Sequence, residues 1–370
     1  MRAELVEDAG RLEQVAREWD ELAVARARPY ASPHWLIPWW EAAAPAGSRL
    51  RTVLVHDGPR LVGVAPFFLG RDLWGARVAA TLGRGASTGV EPVAVEGAEA
   101  EVAALAARAL SASRPAPQLV LLDVIPAASR WPGLLAEGWP GTALPAESDP
   151  APIVARPAGG YEEWLAGRSS HFRKRMRRAA RELDELGSSF RPAGPDTLDA
   201  DLSAFACLHR ARWEKRGGTA VLTPGVERML SAAGRRLGPE RFRLWLLELE
   251  GRPVCAEIVM AAGGRASFWL GGFDPAHARL QPSIQTMLRA IEQAFELGDE
   301  TIDLGLGGQE FKYRLADGDE VLGSFAIVRR GPAGLPARAR LSAARLRRAA
   351  AASPLGGPVR ALRRRLSGRR

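Results

Sequence analysis

Four side chains near residue 310 are of the types that move protons and hold charge: Asp303, Glu310, Lys312 and Tyr313. They fall in the stretch IDLGLGGQEFKYR, where a short apolar strand at 301–304 runs into a glycine-rich turn. Asp303 and Glu310 are candidate bases or amine-holding groups. Lys312, with Tyr313 beside it, suits a phosphate, a carboxylate or an oxyanion. The plainer alternative is a capped strand end at Asp303 and a surface ion pair between Glu310 and Lys312, which contributes little.

The elements before this cluster can position it. An apolar run at 266–270 ends in Gly271-Gly272 and the turn residues Asp274-Pro275. After Pro282-Ser283, the residues Ile284, Met287, Leu288, Ile291, Ala294 and Phe295 recur at helical spacing, and Gly298 stands where a C-cap glycine belongs. Strand, loop, helix, strand and polar turn form a layout that seats a ligand at strand ends and at a helix N-terminus, where backbone N–H groups are unpaired.

Further back, the spacing predicts a helix over 11–25 and a second one opened by Ser32-Pro33, with Trp35, Trp39 and Trp40 as an aromatic, core-packing face. A hairpin turns at Asp57-Gly58, a strand follows in 71–83, then an alanine-rich helix over 97–112 and a buried strand over 118–124. Proline and glycine mark 126–152 as a connection. The second half repeats the plan: strand, turn at Glu250-Gly251, strand, further strand, helix, buried strand. Gly58, Leu61 and Gly63 align with Gly251, Val254 and Ala256, so an internal duplication of an α+β unit accounts for the order of elements. Between the halves, 161–187 carries a helix after Ser169-Ser170. Phe172, Met176, Ala179 and Leu183 form its apolar stripe, and arginines crowd its other faces. Arg173, Lys174 and Arg177 are candidates for an anion site, against a solvated basic face. A following helix places Leu202, Phe205, Leu208 and Trp213 inward.

Composition narrows the class. The chain has 370 residues, 46% of them hydrophobic and 25% charged, enough for a real core. Its net charge of +9 is a tail property. Residues 329–370 hold 13 arginines and no acidic group, leaving 38 basic against 42 acidic groups over 1–328. That is not the footprint of a domain-wide nucleic-acid binder. Lysine occurs only at 174, 215 and 312, as in a chain written by a GC-rich genome. Two cysteines outside any CxxC pair fit a reducing compartment, and scattered histidines give no metal site. With no apolar leader and no run near the ~18 residues of a membrane span, the expected location is cytoplasmic. The basic segments of 331–370 suit either a disordered tail or a peripheral contact with the inner face of the membrane.

The ordered pieces FRKRMRRAARELDELG, LHRARWEKRGG, LELEGRPVCAEIVM, FWLGGFDPAHARLQPS and IDLGLGGQEFKYRL resemble the GNAT-type acyltransferase domain of the CelD-like family, associated with cellulose and other exopolysaccharide biosynthesis. That family is similar to the Fem-type aminoacyl transferases, built from two GNAT-like halves. The resemblance implies an α+β fold of duplicated GNAT-like units, with mixed, bent sheets flanked by helices. It implies a degenerate N-terminal half over 1–155, an acyltransferase domain over 156–330 and a basic tail over 331–370. The implied reaction moves an acyl group from acyl-CoA, as co-substrate, to an amine on a small molecule or polysaccharide, without a metal. Arg279, Gln281, Ser283 and Ile284 then form the loop and helix start that hold the donor pyrophosphate, although the usual glycines are missing. An aminoacyl-tRNA donor bound by the basic helix at 171–181, or a non-catalytic scaffold in a synthesis complex, are the alternatives.

Overall fold

The computed structural model describes residues 1–72, 75–214, 217–331, 334–335 and 338–339; Lys215 and nearly all of the arginine-rich tail lie outside the described residues. The first half runs β1 (Arg2–Val6), α1 (Ala9–Gln14), α2 (Ala16–Ala25), α3 (Pro33–Ala43), β2 (Arg49–Leu50), β3 (Thr52–Asp57), β4 (Arg60–Ala65), β5 (Phe67–Arg71), β6 (Arg77–Thr81), β7 (Val93–Ala94), α4 (Glu99–Ala112), β8 (Leu119–Pro126), α5 (Trp131–Gly138) and β9 (Gly141–Ala155). The second runs α6 (Gly160–Ala166), α7 (Ser170–Glu185), β10 (Ser188–Pro192), α8 (Leu198–Glu214), α9 (Pro224–Leu237), β11 (Phe242–Leu249), β12 (Arg252–Ala262), β13 (Arg265–Phe273), α10 (Pro282–Glu296), β14 (Thr301–Asp303), α11 (Glu310–Tyr313) and β15 (Gly318–Arg329).

Strands β1, β3, β4 and β7 form a small sheet. The others form one sheet in the order β10-β11-β12-β13-β14-β9-β15-β8-β6-β5-β2. The duplication shows in its centre. In each half an antiparallel hairpin leads to a strand, a crossover helix and a parallel neighbour: β6, α4 and β8 in the first, β13, α10 and β14 in the second. Each half then lends its long last strand to the other. β9 pairs antiparallel with β14, β15 pairs antiparallel with β8, and β9 and β15 pair with each other from Gly318↔Ile153 to Arg329↔Gly141. The hairpin turns match too, with Gly58 at φ 56° and Gly251 at φ 74°, left-handed values that favour glycine.

Local chemistry explains most elements. Ser32 accepts from the His34 N–H at 3.2 Å and caps α3, with Pro33 at its first position. Ser169 does the same for α7 through Phe172 N–H. The stretch at 11–25 is two helices, broken at Val15. Pro66 divides the strand after Gly58 into β4 and β5, which go to different sheets. The region 126–152 is not a plain connection, because it contains α5 and most of β9. Its prolines supply no N–H, yet Pro150 and Pro152 accept through their carbonyls from Gly307 and Leu304, and Pro145 sits at the bulge opposite Phe325.

The tryptophans of α3 are core residues. Trp35 and Trp39 are buried; Trp35 meets Trp269 edge-on at 5.3 Å, which ties the first half to β13. On the other face of the sheet, Met287, Ile291, Ala294 and Phe295 of α10 pack with Ala266, Ile302 and Val154. Each of the larger ones, Met287, Ile291, Phe295, Ile302 and Val154, contributes roughly 1.5–3 kcal/mol. Helix α8 lies so close on β13 that a Cβ at Gly272 would fall 2.2 Å from the His209 backbone nitrogen. Gly272→Ala is therefore expected to lower stability by at least about 2 kcal/mol, read from urea unfolding; an unchanged midpoint would contradict this packing.

Candidate active site

Strands β13 and β14 pair in parallel only over Arg265↔Thr301, Ala266↔Ile302 and Ser267↔Asp303. Past that point β13 continues beside β12, with Gly271 opposite Glu257, while the chain after Asp303 turns away through Gly305 and Gly307, both at positive φ. A gap opens at the carboxyl ends of two parallel strands, where α/β sheets commonly take ligands.

The loop beside the gap is held from three sides. Asp303 accepts from Gly305 N–H at 2.8 Å and from Ser267 Oγ at 3.2 Å. Lys312 Nζ donates to the Gly305 and Leu306 carbonyls, both at 2.8 Å. The Pro150 and Pro152 carbonyls of β9 take Gly307 and Leu304 N–H. Behind Asp303, Arg265 forks onto Glu320 with two 2.7 Å bonds. Burial of Lys312 pulls its pKa down to about 8, against the opposing pull of the Asp303 charge. Burial raises the Asp303 pKa, and Arg265 opposes that rise.

Across the gap, Glu257 projects from β12 over Gly271. A Cβ on Gly271 would sit 1.8 Å from a Glu257 carboxyl oxygen, so only glycine leaves room for it. Burial pushes the Glu257 carboxyl up to about 7, opposed by the Arg212 charge and a hydrogen bond with Ser283. From α8, His209 Nδ1 and Arg212 Nη1 reach the Gly271 carbonyl at 2.9 and 3.3 Å. The carbonyl can only accept, so His209 carries its proton on Nδ1 and Nε2 accepts from Thr219 Oγ1 at 3.0 Å. Burial lowers the His209 pKa, which favours this neutral form.

The structure separates the residues expected from sequence. Asp303 and Lys312 come together at the gap. Glu310 and Tyr313 do not: the single turn of α11 points Lys312 inward and both of them outward, and Glu310 pairs with Arg314 at 2.5 Å in solvent. At the start of α10, Ser283 lies near Glu257 and 3.9 Å from the Cys255 sulfur, while Ile284 packs into the core. Gln281 takes a left-handed conformation and Pro282 supplies no N–H. Arg279 turns to Glu182 at 3.1 Å. On α7, Arg173 donates to the Ala166 carbonyl and Lys174 and Arg177 face solvent, so the three do not converge on one point. Glu257 and Arg212 were not expected. The signal for Glu257 was a lone carboxylate in the apolar strand VCAEIVM.

The matching helix start in the first half, beside a cleft of about 330 Å³ that Arg26 and Glu99 line, is taken up by ion pairs. At the start of α4, Arg26 pairs with Glu99 and, at 3.7 Å, with Glu96, while the Met1 amino group meets Glu101 at 3.3 Å. Carboxylates already occupy that helix N-terminus.

Residues 170–313 match the family model described as the acetyltransferase (GNAT) domain. No curated protein matches the chain in sequence. Among solved structures the chain is similar to FemX, with a TM-score of 0.60 and 12% identity over 89% of this chain and 97% of that one. It is also similar to L-PGS from Bacillus licheniformis, with a TM-score of 0.54 and 14% identity over 92% and 97% of the respective chains. The fold is a duplicated GNAT-like fold, and the chain is an acyltransferase whose GNAT domain contains the β13/β14 gap.

Glu257 makes a linkage prediction. Its folded pKa, about 7, lies above the ordinary 4.5, so the folded state holds the proton more tightly. Stability is therefore lost as pH rises from 4.5 to 7 and is constant above. Glu257→Gln removes this loss, and its stability relative to wild type should rise across that window by up to about 3 kcal/mol. Parallel denaturant curves at pH 5 and pH 8 would contradict the burial.

Proposed function

We propose that the chain transfers an acyl group from an activated donor to an amine at the β13/β14 gap, with an amine-bearing envelope or polysaccharide precursor as acceptor. One observation carries this reading: a buried lysine of lowered pKa, held by two carbonyls of a glycine loop, stands at the carboxyl ends of β13 and β14, and the charge of Arg212 acts both on it and on the buried Glu257 carboxyl over Gly271. The amine nitrogen attacks the acyl carbonyl carbon, a C–N bond forms, and charge moves to the oxygen. Lys312, as ammonium, stabilises that oxyanion. Glu257, as carboxylate, takes the proton that the amine nitrogen loses. Collapse of the intermediate breaks the bond to the leaving group, which is a thiolate for a CoA donor and, for an aminoacyl-tRNA, a ribose oxygen that leaves as the hydroxyl with the proton held on Glu257. Asp303 positions the loop that holds Lys312 and touches no substrate in this scheme.

Between the two donors, the start of α10 favours one that does not rest its phosphates there. Glu257 already presents a carboxyl to that helix end, and Pro282 removes an N–H. An aminoacyl-tRNA donor, compatible with the FemX-like fold, fits this better than acyl-CoA bound in the usual GNAT manner. The CelD-like resemblance supports the polysaccharide acceptor.

Lys312→Ala is expected to lower kcat by about 10²–10³ with a smaller change in KM. The wild-type profile of kcat should be bell-shaped. It rises near pH 7 as Glu257 deprotonates and falls above pH 8 as Lys312 loses its proton. Glu257→Gln should lose the acidic limb. Single-turnover assays with acyl-CoA and with charged tRNA check this, and wild-type turnover by Lys312→Ala would refute it.

A further inference from the structure

Behind Asp303 lies an ion pair that the chemistry above does not use. Arg265 stands on β13 and Glu320 on β15, and β14 and β9 run between those two strands in the sheet. The side chains nevertheless meet, through two bonds of 2.7 Å. A guanidinium fork on a carboxylate fixes direction as well as distance. One Arg265 nitrogen stays 3.8 Å from Asp303 Oδ2. The bridge therefore spans the strands at the root of the gap and passes the carboxylate that arranges the 304–307 loop.

Charged and titratable groups face Asp303 from several elements: Arg265 from β13, Lys312 from α11, Glu320 from β15 and Tyr30 from the turn Pro29–Ala31. Ser267 lies between Tyr30 and Asp303 and hydrogen-bonds with both. Arg28, from the first half, pairs with Glu91 at 2.8 Å and its charge acts on Glu320. The cavity among Tyr30, Ser267 and Asp303 measures about 30 Å³, room for a water molecule and not for a substrate. Asp303 thus acts through the loop it holds. Burial works against its charged form, the Arg265 charge restores it, and the Glu320 charge works the other way.

We propose that Arg265, aimed by Glu320, is a positioning residue for the transfer: it holds the Asp303 carboxylate onto Gly305 and Ser267, and through that loop it holds Lys312 at the gap. The inference rests on the acyl-transfer reading and extends its site by two residues that touch no substrate. A protonated Asp303 would give up one acceptor oxygen and the negative charge that Lys312 faces. The Arg265 charge therefore supports both the loop and the ammonium it carries. Glu320 keeps Arg265 from closing directly onto Asp303, which leaves the carboxylate oxygens to the Gly305 N–H and the Ser267 hydroxyl.

The test is NMR of the full chain with isotope-labelled lysine. Lysine occurs only at 174, 215 and 312, and Lys312→Met identifies the Lys312 signal. That signal should titrate near pH 8, with a further inflection on the acid side as Asp303 takes a proton. Arg265→Met should move the acid-side inflection to higher pH, Arg265→Lys should leave it near its wild-type place, and Glu320→Gln should move it to lower pH. Loss of a merely structural bridge would shift Arg265→Met and Glu320→Gln alike. Arg191→Met, which breaks the bridge from β10 to Asp201 and Glu248, should not move it. With substrates, Arg265→Met should lower kcat about tenfold or more with little change in KM, and Arg265→Lys should recover most of that loss. The proposal is overturned if Arg265→Met leaves the inflection in place, or if Arg265→Met and Glu320→Gln move it the same way. The lysine signal needs no substrate. A wild type without turnover whose signal shifts as described would refute acyl transfer and leave the clamp standing, so the two failures are read apart.

Discussion

The pairing of β9 with β15 is the constraint on which the rest of the molecule depends. Each is the long last strand of its half, and each is inserted between its partner and the other half's parallel pair. The exchange fuses two α+β units into one sheet. It also places β9, from the first half, directly against β14. The carbonyls of Pro150 and Pro152 on β9 then hold the loop at 304–307, which in turn receives Lys312. The candidate site therefore belongs to neither half alone. A proline-rich strand suits this position, because proline keeps its carbonyl as an acceptor while offering no competing N–H.

Duplication gave the chain two gaps of the same design, and their surroundings made them unequal. In the first half the crossover helix starts among Glu96, Glu99 and Glu101, which Arg26 and the Met1 amino group neutralise. There Asp123, within β8, is taken up by Ser324 Oγ at 2.5 Å and Arg84 at 3.1 Å. In the second half the corresponding carboxylate, Asp303, arranges the loop that receives Lys312, and its charge acts on Lys312 while that of Arg212 acts on Glu257. The first half packs against the second: Trp35 meets Trp269, and Trp269 donates to the Ala86 carbonyl.

Much of the scaffold was legible in the sequence because its signals are local. Ser32-Pro33 and Ser169-Ser170 mark helix starts through caps that the structure contains. The repeated hairpin, strand, helix and strand order reflects a real pseudo-symmetry. Thr223-Pro224 carries the same kind of cap, and Thr223 accepts from Val226 N–H at the start of α9. The stretch at 126–152 was misread because proline penalises a strand locally, and the compensation is long-range pairing that no window of sequence contains. The site was harder still. Residues 310–313 look like one cluster on paper, yet a single helical turn sends their side chains to opposite sides. Glu257 and Arg212 meet near Gly271 only through the fold, 45 residues apart in sequence.

The central claim is that acyl transfer takes place between Glu257 and Lys312 in the second-half gap. A crystal structure of the chain with a non-hydrolysable acyl-donor analogue tests it most directly. The account predicts the acyl carbonyl in the opening between Gly271 and Gly305, with its oxygen toward Lys312. An acyl group found instead at the β6/β8 opening of the first half would contradict it.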